Sequence, residues 1–198
     1  MTDEIISSHT FEAFDTGPIG ADARERDGLK AALIAAKSFS SNPKGWLLLI
    51  CPRNSLWTSR LALTITSELL RKGQPAFYIL VADLLDHLRA TFKPDSEIEY
   101  DELFEIVKSV PVLVLDNLGA ANRTSWAQEK LFQIVVHRHS NKLPTVITTT
   151  LLIDEIQEKL PHLSSYLKDF TVVNDILIMY EKPVREEDQR RGRSGGSR

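Results

Sequence analysis

Four short strand-like runs constrain this chain most: WLLLIC at 46–51, AFYILV at 76–81, PVLVLD at 111–116 and TVITTT at 145–150. WLLLIC is too short for a helix of ordinary length and apolar throughout, the mark of a strand buried on both faces, and the other three read as strands beside it. Amphipathic segments separate them. ADARERDGLKAALIAAKSFS carries Leu29, Ala32, Leu33, Ala36 and Phe39 at helical spacing and stops before Asn42-Pro43. Residues 59–72 predict a helix ended by Gly73, and ADLLDHLRATF, Tyr100 to Lys108, SWAQEKLFQIVVHRHS and LIDEIQEKL predict further helices. FTVV and ILIMY predict late strands. Strands joined by helices of this length pair in parallel through right-handed crossovers, so the expectation is a three-layer α/β domain. Ligands in such sheets sit beyond the carboxyl ends of the strands.

A chain of 198 residues with 42% hydrophobic residues has material for one sizeable domain. The expected divisions are a leader at 1–20, the α/β domain at 21–182 and a disordered charged tail at 183–198. The tail, VREEDQRRGRSGGSR from Val184, is too poor in apolar residues to order itself. A net charge of −3 gives no global attraction to nucleic acid or anionic membrane, so any such contact must come from a local patch. Cys51 is the only cysteine, which excludes internal disulfides and multi-thiolate metal sites. The opening MTDEIISSHT is no secretory signal and no run is long enough to span a bilayer, so a cytoplasmic location is expected.

The segment between the first strand and the next helix stands where phosphate-loop proteins hold a nucleotide. Such a loop needs Gly-x-x-x-x-Gly-Lys-Ser/Thr: glycines to aim N–H groups at phosphate, a lysine for charge and a hydroxyl for magnesium. Here the eight positions read PRNSLWTS. Pro52 and Trp57 occupy the glycine positions, Thr58 the lysine position, and Ser59 alone keeps the required chemistry. Loss of the lysine contact removes roughly 1.5–3 kcal/mol, and with the glycines a deficit of about 5 kcal/mol weakens a micromolar site by roughly 10³–10⁴. Arg53 and Arg60 are the cations at hand for an anion contact, but two solvated arginines are the expectation.

The order and spacing of this turn, LALTITSELLRKGQPAFYILVADLLDHLRATF, VLVLDNLGA and LPTVITT resemble the bacterial replicative helicase loaders of the DnaC/DnaI type, which are AAA+ ATPases. TFEAFDTG is also similar to the segment preceding their ATPase domain. The resemblance covers roughly residues 10–180. It implies a P-loop NTPase (AAA+-like) fold with a central, mostly parallel sheet and little or no helical lid. It further implies a site at Ser59, Asp116, Asn117 and Thr150, with Arg53 and Arg60 beside it. Active relatives carry two acidic residues at the end of the central strand, one for magnesium and one to activate water; this chain has Asp116 and Asn117, and an amide cannot act as that base. The polar sensor falls at Thr150, and two nucleotide-sensing arginines fall at His162 and Tyr166. These changes imply a catalytically inactive domain with no cofactor, acting through an AAA+ paralogue, a replicative helicase or another replication protein. The alternative is a residual magnesium-ATP site on Ser59 and Asp116 with slow hydrolysis. A third option is a purely structural subunit.

The resemblance also implies a path for single-stranded DNA along Arg89, Phe92, Thr124 and Trp126, since aromatic faces stack on bases and arginine pairs with phosphate. Fewer than ten residues precede TFEAF, so the helicase-contacting domain of the loaders is expected to be absent. His137 and His139 lie two apart on a predicted helix and face different directions, so no shared metal is expected. PDSEIEYDELFE reads as a solvated acidic helix start.

Overall fold

The computed structural model describes residues 2–90, 100–120, 124–169 and 171–178. Among the described residues five strands, β1 (Trp46–Ile50), β2 (Ala76–Leu80), β3 (Val112–Asp116), β4 (Thr145–Thr149) and β5 (Val173–Ile178), make one sheet in the order β2-β3-β4-β1-β5. Every neighbouring pair is parallel. The helices are α1 (Asp3–Ser8), α2 (Ala23–Ser41), α3 (Ser55–Arg71), α4 (Val81–Ala90), α5 (Tyr100–Ser109), α6 (Ser125–Ser140), α7 (Ile153–Lys159) and α8 (Pro161–Leu167). None is long and apolar enough to cross a membrane among the described residues.

The strands split their apolar side chains between two cores, as the two-residue period of a strand dictates, and β2 at the sheet edge is only partly buried. Leu47, Leu49, Val112, Val114 and Val146 face α2 and α3, where they meet Leu29, Ala32, Ala36, Leu61, Ala62 and Ile65. Trp46, Leu48, Ile50, Leu113, Leu115 and Ile147 face the other way, onto Leu84, Leu88, Val107, Leu131, Ile134 and Leu163. The expected three layers are present. The segment 1–20 is not detached from them: Phe11 is buried in the α2/α3 core and the Arg71 guanidinium donates to the His9 carbonyl at 3.3 Å.

Two readings of the sequence need correction, and two short helices go beyond it. The helix expected at 59–72 begins at Ser55, because the Asn54 side chain accepts from the Leu56 N–H at 3.0 Å and caps the helix a turn early. Two late strands are a single strand, β5. PHLSSYL forms α8, a short helix opened by Pro161 at its first position, where a missing N–H costs nothing. The helix α1 was not foreseen either. The tail at 183–198 lies outside the described residues.

One buried cation ties the layers together. Arg138 on α6 is fully buried, and its guanidinium donates to Thr145 Oγ1 at 2.9 Å and to the carbonyls of Lys108, Val110 and Pro144 at 3.0, 2.9 and 2.7 Å. It satisfies the carboxyl end of α5, where the helix dipole favours positive charge. Burial pushes its pKa down to about 10, which still leaves it charged at neutral pH.

Candidate functional site

The strand alternation places Asp116, the last residue of β3, on the α2/α3 side of the sheet at the carboxyl ends of the strands. Its carboxylate is completely buried and accepts from three hydroxyls. Ser59 Oγ, from the second turn of α3, donates to Oδ1 at 2.9 Å. Tyr78 OH, from β2, donates to Oδ2 at 2.5 Å. Thr148 Oγ1, from β4, donates to Oδ1 and accepts from the Asn117 N–H at 2.8 Å. Burial, followed by the bond to Asp116, raises the Tyr78 phenol well above its ordinary value, so the hydroxyl remains a donor. Asn117 takes φ of 60°, a conformation asparagine tolerates better than most residues. Tyr78 and Thr148 escaped the sequence reading; their signal was strand parity, since both stand on the same face as Asp116, Tyr78 mid-strand on β2 and Thr148 next to the last residue of β4.

The turn that joins β1 to α3 is short. Cys51 is buried at the end of the strand, its thiol pushed up chiefly by that burial, and the helix begins four residues later. Thr58, at the lysine position, is fully buried and donates to the Ser55 carbonyl at 2.9 Å. Trp57 packs against the α2/α3 core. Arg53 is directed to an internal acid: its Nη1 lies 3.2 Å from both carboxylate oxygens of Glu25. Glu25 is fully buried and belongs to a capping box, with its own N–H on Asp22 Oδ1 at 2.8 Å and the Asp22 N–H on its Oε2 at 2.9 Å. Glu25 too was missed, although Asp22-x-x-Glu25 before an apolar stripe is a legible capping signature. Arg60 is exposed on α3. Thr150 follows β4 beside Gly119, where an added Cβ would lie 3.4 Å from the threonine hydroxyl.

A magnesium nucleotide fits this arrangement in one respect and fails in the rest. Ser59 and Asp116 are adjacent, as ligands of one magnesium ion would be. Against that, Asp116 is also held by Tyr78 and Thr148, and no residue from 51 to 59 has the positive φ that a phosphate-cradling loop uses. The helix occupies Ser55 to Thr58, the space of the loop itself.

Of the four residues expected along a DNA path, Arg89 and Trp126 come together: the guanidinium carbon is 5.3 Å from the indole centroid, within cation–π range. Arg89 is exposed and Trp126 half-buried against the α4/α6 core. Thr124 is occupied as the cap of α6, accepting from the Ala127 N–H at 3.3 Å. Phe92 lies outside the described residues. His162 is exposed on α8 and Tyr166 half-buried, and neither carries the guanidinium of a nucleotide-sensing arginine. They stack edge-on with Phe132 at 6.0 and 5.9 Å, and Tyr166 with His139 at 5.0 Å. His139 pairs with Asp169 at 2.7 Å rather than with His137, and no metal-binding cluster of His, Cys, Asp and Glu occurs among the described residues.

A parallel sheet ordered β2-β3-β4-β1-β5, with a strand-turn-helix at 46–71 and an aspartate closing β3, defines an AAA+-type domain of the P-loop class. Within that class the chain belongs to the IstB-like ATP-binding protein family, whose model matches residues 7–177. It is 29% identical over 122 residues to the replicative helicase loader DnaI of Bacillus subtilis, covering 61% of this chain and 38% of that protein. It is 30% identical over 102 residues to the replicative helicase loader DnaC of Escherichia coli K12, covering 52% and 41% respectively. The chain thus spans about two fifths of the length of these curated relatives. A crystal structure of the DnaC helicase loader superposes with a TM-score of 0.66 at 20% identity, covering 86% of this chain and 98% of that one. The replication initiator DnaA bound to AMPPCP and single-stranded DNA superposes at 0.71 and 15% identity, covering 88% and 50%. These likenesses establish the shared fold.

Proposed function

We propose that this domain is a nucleotide-independent member of the helicase-loader class, with no ATP hydrolysis, that works by holding a replication protein. The observation that supports this reading best is the enclosure of Asp116 by Ser59, Tyr78 and Thr148, because it fills with hydroxyls the coordination that a magnesium ion and its waters would need. The Glu25–Arg53 pair adds to it, since the one arginine of the turn already has a carboxylate partner. An interior held together by protein donors keeps its shape without ligand, which suits a scaffold better than a switch. The partner is a replicative helicase or an AAA+ paralogue, by analogy with the DnaI and DnaC relatives. Single-stranded DNA is a second ligand, gripped weakly by the Arg89–Trp126 pair.

The test is gel filtration of the protein with a purified replicative helicase and, separately, with an active loader paralogue, each without nucleotide. Co-elution with either supports the reading; separate elution in both cases, with no oligothymidylate binding by anisotropy, removes its basis. One observation favours a second reading: Ser59 Oγ and Asp116 Oδ1 already stand 2.9 Å apart, a remnant of a magnesium site. On that reading the domain hydrolyses ATP slowly, and magnesium-dependent turnover disappears in Asp116→Ala.

A further inference from the structure

At the opposite end of the sheet from Asp116, the turns that lead into β1, β4 and β5 enclose a cleft of about 530 Å³. Pro43, Lys44, Lys142, Pro144, Thr171 and Val172 line it. Two lysines over an apolar floor of proline and valine suit an anion attached to an apolar body. Asp169, two residues before Thr171, is engaged within its own turn: Oδ1 accepts from the Thr171 N–H at 2.9 Å and hydroxyl at 2.7 Å, and Oδ2 meets His139 at 2.7 Å.

The backbone at Lys142 carries the inference further. Helices α3 and α6 end in the same motif. After α3, the Gly73 N–H donates to the Leu70 carbonyl at 2.9 Å and the Gln74 N–H to that of Leu69 at 2.9 Å. After α6, the Lys142 N–H donates to His139 at 3.0 Å and the Leu143 N–H to Arg138 at 2.9 Å. This motif requires a left-handed residue, for which glycine is favoured. Gly73 takes it with φ of 70°, whereas Lys142 takes it with φ of 52°. The chain therefore places a side chain, and a cationic one, where its own sister motif has none, and that side chain lines the cleft. A strained residue kept beside a cavity points to use of the cavity.

We infer that this cleft binds a phosphate-bearing ligand, with the Lys142 ammonium on the phosphate and Lys44 at the rim. The inference is independent of the Asp116 cluster. The test is a titration of the ¹⁵N-labelled protein with pyrophosphate at low ionic strength, followed at the amides of Gly45, Thr171 and Val172, in wild type, Lys142→Gly and Lys44→Gln. Saturable shifts at those amides are expected, weakened roughly tenfold in each variant and by added salt. Lys142→Gly is expected at the same time to raise Tm by about 2–4 °C, because glycine relieves the left-handed turn. That combination separates a ligand-binding lysine from an inert surface one. A short oligothymidylate that displaces pyrophosphate assigns the phosphate to a nucleic-acid strand; one that does not assigns it to a free phosphate compound. The inference is overturned if the shifts fall elsewhere, if Lys142→Gly binds pyrophosphate as wild type does, or if polyglutamate occupies the cleft and pyrophosphate does not.

Discussion

Replacing Tyr78 by phenylalanine removes one hydroxyl and little else. The ring keeps its place on β2, so no sizeable cavity opens, and the loss is the 2.5 Å bond from the phenol to Asp116 Oδ2. A hydrogen bond to a buried charge contributes about 1.5–3 kcal/mol, and its removal leaves a fully buried carboxylate with donors on only one oxygen. For a chain of this size that predicts a Tm lowered by about 3–12 °C, with the denaturant slope unchanged. The substitution has a second signature in alkali. The folded protein holds the Tyr78 proton more tightly than the unfolded chain, so this contribution is complete below the ordinary phenol value of 10.0 and is lost as pH rises above it. Wild type should therefore lose stability more steeply than Tyr78→Phe from that pH upward. Urea unfolding at neutral pH and across the alkaline range measures both. A change below about 0.5 kcal/mol, with parallel alkaline limbs, would mean that water reaches Asp116 freely and that the carboxylate is not closed.

Arg138→Ala should cost at least about 3 kcal/mol, since it strands several buried carbonyls, and Arg138→Lys should restore only part because an ammonium cannot span the same fork; chemical denaturation reads both. Asp169 is held below the usual carboxylate range by the Thr171 hydroxyl and N–H and then by His139. Its stabilisation is thus present above the unfolded value of about 3.9 and lost as pH falls through the depressed one, and Asp169→Asn should flatten the acid limb of a pH-stability profile. Arg89→Ala and Trp126→Ala should each weaken oligothymidylate binding, the latter by about 1–3 kcal/mol, in an anisotropy titration. Thr124→Ala should instead cost about 1 kcal/mol of stability through its cap and leave DNA affinity unchanged.

The fold was legible because burial on both faces forces strands such as WLLLIC to be apolar throughout, and no helix of this size shares that pattern. The helix start at Ser55 was not, because the phosphate-loop pattern reads PRNSLWTS as an open loop while the local chemistry of Asn54 caps a helix. Asp116 was legible as the end of a strand, but its partners come from β2, α3 and β4, and only the register of the sheet brings Tyr78 and Thr148 to it. The pairing of Arg53 with Glu25 spans 28 residues and likewise needs the fold to be seen. His162 and Tyr166 show the limit of reasoning by position: their rings pack onto Phe132, which no alignment of charged residues predicts.

Calorimetric titration of magnesium-ATP, and separately of ADP, into the protein tests the central claim most directly. With Asp116 enclosed by three hydroxyls and α3 filling the loop, no saturable heat is expected up to about millimolar nucleotide. Saturable binding in the micromolar range, abolished by Asp116→Ala, would contradict it and make the domain a nucleotide-responsive one.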